Sequence, residues 1–392
     1  MKSEMFFFKS EINKLETNDT EGIISLESPP KYESQRNIIL KRGINKEEYD
    51  EVYEFLRDQN VMSSGNITLF PKDEIARFIR MDSLAILMRG GNNNSLIGTI
   101  FSMMFPIRCT IDSKEHKEHK IITHGCTSFL NVHSKLRKHG MCMALIRELT
   151  QYAFEKQIYC SYSLTSFPLS EKSFEISAWF RPLNLPRSIG LGFSYPDWSV
   201  PSEFVNNKVK YNTKIPKGYI CERVTEGKAQ KALEFYISLV NESNNNSGAD
   251  ATKFVFFPTL EFFKKWIQEY ATFLVMRKYS EDGSQESKIP VGIFSLGSIY
   301  CRMQNGIDGK LALPLIFKSS SEQSEYSNKV MKCMIYTAND RDYDTLYMYS
   351  VGDMNNELLK SVNAIETSTK SYFSLYNNSM TLTANDLCIP LF

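Results

Sequence analysis

Apolar residues three and four apart mark a helical face in NKEEYDEVYEFLRDQN (45–60), where Tyr49, Val52, Tyr53 and Leu56 fall together, and EGKAQKALEFYISLVN (226–241) reads the same way. Downstream of each the pattern changes twice. A Phe-Pro step opens a second short helix, FPKDEIARFIRMDS (70–83) in one case and FPTLEFFKKWIQEY (257–270) in the other. A β-rich run follows, LAILM (84–88) or TFLVM (272–276), and a turn rich in Gly, Asn and Ser leads into another strand. The two segments also match residue by residue: Glu74 with Glu261, Phe78-Ile79 with Trp266-Ile267, Met88-Arg89 with Met276-Arg277, and Gly98 with Gly292. Helix, helix and hairpin in the same order predict a duplicated α+β domain. The join is expected in the polar stretch VPSEFVNNKVKYNTKIPKG (200–218), giving an N-terminal arm over 1–35, a first half over 36–205 and a second half over 206–392.

After its hairpin the first half continues through the β-rich IITHGCTSFLNVH (121–133) into KLRKHGMC (135–142) and then MALIRELTQYAFEK (143–156). Leu145, Leu149 and Tyr152 share one stripe and no Gly or Pro interrupts it, so a helix is predicted. Strand, basic glycine turn and helix form an anion-binding arrangement, because the first backbone N–H groups of a helix lack partners and carry the positive end of its dipole. Gly140 admits a close approach and Arg137 and Lys138 supply charge. The same residues also fit a plain strand-to-helix turn with solvated basic side chains. The corresponding stretch of the second half, SSSEQSEYSNKVMKCMIYTAND (319–340), has no glycine.

Composition narrows the picture. The 392 residues suit two domains, and 42% hydrophobic against 23% charged residues is the balance of a folded protein. A formal charge of +1 gives no general pull toward nucleic acid or an anionic membrane. The eight cysteines form no CxxC pair and are expected to be reduced, and no apolar run is long enough for a signal peptide or a bilayer span, so a cytoplasmic protein is expected. All five histidines lie between positions 116 and 139. The stretch KEHKEHK (114–120) is expected to be a solvated hairpin tip and not a metal site.

Arg137-Lys-His-Gly140-Met-Cys142 resembles the Arg/Gln-x-x-Gly-x-Gly/Ala acyl-CoA loop of the GNAT acyltransferase superfamily, with Cys142 in place of the last small residue. Phe129-Leu130, Val132-His133, Lys135-Leu136-Arg137 and Leu145-Ile146-Arg147-Glu148 resemble the signature of the N-myristoyltransferase family. WFRPLN (179–184) is similar to that family's Tyr-x-His-Arg-x-Leu-Asn, SYFSLYNN (371–378) to its Tyr-Tyr-Leu-Tyr-Asn strand, and Phe7-Phe8 to its Phe-Trp segment beside the adenine.

This resemblance implies two tandem GNAT-like halves related by a pseudo-two-fold, each a mixed, mainly antiparallel sheet flanked by helices, with acyl-CoA in the first half and peptide across both. It implies transfer of a myristoyl group from myristoyl-CoA to the amine of an N-terminal glycine, without a covalent enzyme intermediate. The backbone amides of Phe129 and Leu130 would form the oxyanion hole, each worth about 3–4 kcal/mol in acyl transfers of this kind. Phe392 would offer the terminal carboxylate as base, although an end such as Ile389-Pro390-Leu391-Phe392 is on residues alone a docked or frayed terminus. Phe7, Phe8, Arg137, Lys138, His139, Gly140, Met141, Cys142 and Met143 would bind the CoA moiety, and Ser128, Tyr162, Thr165 and Ser368 the peptide. No prosthetic group or metal is implied: myristoyl-CoA is a co-substrate, glycine-starting peptides or proteins are the partners, and the chain is a monomer without nucleic acid or integral membrane association.

Departures gather on the peptide side. Ser128 replaces the family's Asn, Phe180 its His, and Thr367-Ser368-Thr369 its Gly-Asp-Gly. Two alternatives therefore stay open: a protein of the same fold that binds acyl-CoA or acyl-peptide but catalyses weakly, and a GNAT acyltransferase acting on another amine.

Overall fold

The structure, a computed structural model, describes residues 37–59, 67–69, 72–81, 83–112, 117–191, 214–245, 253–279, 287–302, 308–323, 325–378 and 380–391. The expected arm with Phe7 and Phe8, the expected join at 205/206 and Phe392 lie outside them.

The chain divides into two compact units. Of the described residues, those from 37 to 174 and from 372 to 381 form one, and those from 175 to 371 and from 382 to 391 the other. The first contains β1 (Ile38–Arg42), α1 (Tyr49–Gln59), β2 (Ile67–Leu69), α2 (Lys72–Arg80), β3 (Ser83–Gly90), β4 (Leu96–Asp112), β5 (Lys117–Val132), α3 (Met141–Glu155) and β6 (Cys160–Thr165). β7 (Phe174–Pro182) and the short α4 (Leu185–Gly190) lead into β8 (Tyr219–Arg223), α5 (Ala229–Asn245), β9 (Phe254–Phe256) and α6 (Leu260–Glu269). The second unit continues with β10 (Ala271–Tyr279), β11 (Ser287–Arg302), β12 (Asp308–Ser319), α7 (Tyr326–Asp340) and β13 (Thr345–Tyr349). Thereafter come α8 (Asn356–Ser361), β14 (Ile365–Tyr376) and β15 (Leu387–Cys388). From β1 to β6 and from β8 to β13 the succession of strands and helices is the same, so the repeat in the sequence is a repeat of architecture.

Sheet order repeats as well. In the first unit β1, β3, β4 and β5 pair antiparallel in turn, β6 adds to β5 in parallel, and Tyr372–Tyr376 of β14 pairs antiparallel with β6. In the second, β8, β10, β11 and β12 form the antiparallel run, β13 adds to β12 in parallel, and β7 pairs antiparallel with β13. The fold is thus α+β with mainly antiparallel sheets flanked by helices. Local chemistry supports the helices: Asn45 and Glu48 form a capping box ahead of α1, and Thr259 and Asn355 cap α6 and α8 by accepting from Phe262 N and Leu358 N.

Gly98 and Gly292, matched in the sequence, have a shared packing reason. In the first unit α3 lies across β3 and β4, burying Ala144, Leu145 and Leu149 against Ile86, Met88 and Ile100. A Cβ on Gly98 would stand 3.0 Å from Leu145 Cδ1. In the second unit a Cβ on Gly292 of β11 would collide with Val330 of α7. Each glycine is the point where the helix after the meander presses closest to its strand.

One expectation is corrected here. The stretch 114–120 is not wholly a hairpin tip, because β5 begins at Lys117, and His119 pairs with Thr110 in a ladder reaching Asp112↔Lys117. His124, further along β5, has no exposed surface.

Candidate active site

The ladder between β5 and β6 covers only His124–Cys126 and Cys160–Tyr162. Past that point β5 runs on to Val132 with β4 as its ladder partner, so its other edge offers main-chain donors and acceptors. Within this stretch the register against β4 slips: Thr99 faces Asn131 and Phe101 faces Ser128, which leaves Phe129 and Leu130 together opposite Ile100. That is a β-bulge, and Phe129 takes φ +54° within it. The left-handed region costs a bulky side chain roughly 1–2 kcal/mol, so neighbouring contacts must hold it. The Phe129 ring meets Phe78 at 5.0 Å and Phe101 at 5.5 Å, both edge to face, and Thr99 Oγ1 donates to the Phe129 carbonyl oxygen at 3.0 Å. The Leu130 side chain is 39% exposed. The two residues expected to supply oxyanion amides are thus the two residues of the bulge.

From Val132 the chain turns through a short 3-10 segment, Ser134–Leu136, into the basic loop. Lys138 and Gly140 have φ +70° and +75°, and α3 starts directly afterwards. Gly140 is the N-cap and offers no side chain, and the first backbone bond of the helix runs from Ala144 N to Gly140 O at 3.2 Å. The amides of Met141, Cys142 and Met143 therefore face outward at the positive end of the helix. A Cβ on Gly140 would meet nothing within 4 Å, so the backbone is open to an approaching anion.

The side chains divide the work differently from the sequence reading. Arg137 donates through Nε to Val132 O at 3.2 Å and through Nη2 to Gln59 O at 2.8 Å, and Ser134 N donates to Gln59 Oε1 at 2.8 Å. Arg137 thereby ties the loop to β5 and to the end of α1. The exposed Lys138 and His139 make no hydrogen bond or ion pair among the described residues. The Met141 side chain is buried in the core with Leu145, and Met143 is half-buried, so these two contribute through their amides. Cys142 is exposed on the first turn, and desolvation raises its thiol pKa against the opposing pull of Arg137. Gln59 was invisible in the sequence, since nothing in its local pattern marks it as the residue that grips a loop 75 positions away.

The residues expected on the peptide side are placed as follows. Ser128 is half-buried opposite Phe101. Tyr162 is 1% exposed, stacked on Phe373 at 5.7 Å and hydrogen-bonded to the buried Cys126. Desolvation raises that phenol far above its usual pKa, so its ring is core and presents no face to a peptide. Thr165 Oγ1 donates to Phe167 O at 2.6 Å, closing the turn after β6. In the second unit Ser368 is exposed on β14 between Glu366, which accepts from Ser177 at 2.6 Å, and Lys370, which bonds Glu175 at 2.8 Å. Phe180 is 4% exposed.

The second unit has a parallel strand pair of the same kind, with a small cavity beside it. β12 and β13 pair only at Leu311–Ala312 and Thr345–Leu346. Beyond them, Pro314–Phe317, Tyr349 and Val351 line a cavity together with Leu387, Cys388, Ile389 and Leu391. The start of α7 has Glu325 as N-cap, and among the described residues from Asp308 to Asp340 none has a left-handed φ. Acidic charge and the lack of a glycine turn make this end unfit for a pyrophosphate.

No protein-family model matches the sequence, and no curated protein matches it. Solved structures do match. Crystal structures of Saccharomyces cerevisiae N-myristoyltransferase with bound myristoyl-CoA superpose with TM-scores of 0.73 and 0.74 at 14% identity, covering 93% and 96% of this chain and 90% of theirs. A further structure of that enzyme, with myristoyl-CoA and inhibitors, gives 0.73 over 95% of this chain. The fold is that of an N-myristoyltransferase. Among the described residues, this chain has a strained bulge followed by a glycine-led helix without a side-chain cap in its first unit alone.

Proposed function

We propose that this protein is an acyl-CoA-dependent N-acyltransferase that moves a myristoyl group from myristoyl-CoA to the amine of an N-terminal glycine. The observation that carries the reading is the sequence of three features along one short piece of chain: a β-bulge with left-handed Phe129, a strand edge released from β6, and the open start of α3 behind Gly140. An acyl thioester needs all three. Its diphosphate is held by helix amides and basic charge, its pantetheine amides pair with a free strand edge, and its carbonyl oxygen meets amides aimed where negative charge develops. The yeast structures that share the fold contain bound myristoyl-CoA, which supports the choice of donor.

In this reading the glycine amine attacks the thioester carbon, the tetrahedral oxyanion is held by the amides of Phe129 and Leu130, and CoA thiol leaves. No side chain becomes acylated. The ammonium of the acceptor must first lose a proton, and the Phe392 carboxylate is the proposed acceptor of it. The chain works as a monomer in the cytoplasm, on peptides or proteins that start with glycine.

A second reading draws on the interior positions of Tyr162, an expected peptide contact, and of Phe180, which stands where the resembled family has a histidine. It keeps acyl-CoA binding and gives up efficient transfer. The test is incubation with labelled myristoyl-CoA and three peptides: one starting with a free glycine, the same peptide acetylated, and one offering only a lysine amine. Label on the free glycine alone supports N-terminal acyl transfer, and label on lysine redirects the acceptor. Tight binding without label supports the second reading, and absence of binding rejects both.

A further inference from the structure

Thr99 lies in β4 with no exposed surface, opposite Asn131 in the ladder and next to Ile100, the residue that faces the bulge. Its hydroxyl donates to the carbonyl oxygen of Phe129 at 3.0 Å. The carbonyl of the strained residue is thus drawn toward β4. In a trans peptide the carbonyl oxygen and the next N–H point in opposite directions. A carbonyl fixed toward β4 therefore turns the Leu130 N–H away from β4, toward the edge of β5 that β6 has left.

We propose that Thr99 is a positioning residue for the oxyanion site, its hydroxyl setting the direction of the Leu130 amide. The proposal rests on the acyl-transfer reading above. The second unit supplies an internal control. β11 and β12 also slip register, between Ser295 and Leu296, yet no residue of β12 has a left-handed φ. Ser295, beside that slip, accepts from Trp266 Nε1 and bonds the Thr272 hydroxyl. The unit whose corresponding helix starts at Glu325 carries a bulge without a hydroxyl pin. The unit with the anion cradle carries one with it.

The test compares Thr99→Val, which keeps the shape and loses the hydroxyl, with Thr99→Ser, which keeps the hydroxyl. With the donor amide loosened but not removed, Thr99→Val is expected to lower kcat about tenfold or more, with KM for acyl-CoA held within about twofold. Thr99→Ser should restore kcat to within about threefold of wild type. A merely structural role would lower kcat and thermal stability together in both variants, and unchanged kcat in Thr99→Val would overturn the proposal while leaving acyl transfer intact. A second readout does not need turnover: the Leu130 amide resonance followed on adding the ketone analogue of myristoyl-CoA, in which a methylene separates sulfur from carbonyl. A downfield shift is expected in wild type and Thr99→Ser and not in Thr99→Val. Equal shifts in all three reject the positioning role. A wild-type chain that binds the analogue nowhere rejects the acyl-CoA reading itself, and the inference with it.

Discussion

The side-chain amide of Asn378 donates to Nε2 of His124 at 3.1 Å, a bond between residues 254 positions apart. Nδ1 of the same ring donates to the Ile122 carbonyl oxygen at 3.1 Å, so both nitrogens are committed and the imidazole is neutral. Burial lowers its pKa from 6.5 to about 4, against a small opposing pull from that backbone bond.

A depressed folded-state pKa means that the unfolded chain binds a proton that the folded one refuses. The stabilisation from neutral His124 is complete above pH 6.5 and is lost as pH falls from there toward 4. A gap of this size corresponds to about 3 kcal/mol. Urea unfolding of wild type and His124→Gln at pH 7.5 and 4.5 checks it: the wild type should lose stability steeply between the two, and the variant should start lower and fall much less.

Gly140→Ala adds a methyl group into open space but at φ +75°. The expected cost is about 1–2 kcal/mol in stability, with weaker binding of acyl-CoA, while Gly140→Asn, which tolerates left-handed backbone, should cost less. Calorimetric titration with acyl-CoA beside thermal melts reads both effects. Equal affinity for all three proteins would remove this turn from the binding site.

Gly98→Ala and Gly292→Ala should both destabilise through overpacking, by about 1–3 kcal/mol, with Gly292→Ala the worse. Leu145 can swing its terminal methyl away from position 98, whereas Val330 is branched next to its own backbone and Lys318 O stands 3.0 Å from the added Cβ at position 292. Thermal unfolding of the two variants gives the order directly.

Lys318 is 1% exposed and its ammonium lies 2.7 Å from Asp353 Oδ1, while Asp353 Oδ2 accepts from Ser319 N at 3.2 Å. Asp353→Asn leaves a buried positive charge with less compensation and should cost about 3 kcal/mol. Lys318→Met combined with Asp353→Leu should recover much of that loss, since apolar residues of similar volume replace an ion pair at little cost. Denaturant midpoints of the single and double variants decide it.

The duplicated architecture was legible because periodicity and turn chemistry act over short stretches, and the shared Gly98 and Gly292 mark one packing event in each copy. The glycine-led start of α3 was legible because loop, glycine and helix adjoin in sequence. Long-range pairings were not. Thr99 finds its acceptor 30 residues on and Gln59 grips a loop beyond four strands, and neither residue type announces such a partner. The inward turn of Tyr162 has a simpler reason: alternation along β6 sends Cys160 and Tyr162 inward and Ser161 and Ser163 toward the other face, and the aromatic ring follows its strand parity.

β14 serves both units: Tyr372–Tyr376 complete the first unit beside β6, and the preceding residues belong to the second. During synthesis, the first unit therefore waits. Its β6 edge stays unpaired and Tyr162 lacks Phe373 until the ribosome has passed residue 376, by which time the second unit is almost entirely made. A chain built this way cannot finish its first unit and then begin the second. It must carry an unfinished sheet edge through most of translation, the interval in which such edges invite pairing with other chains.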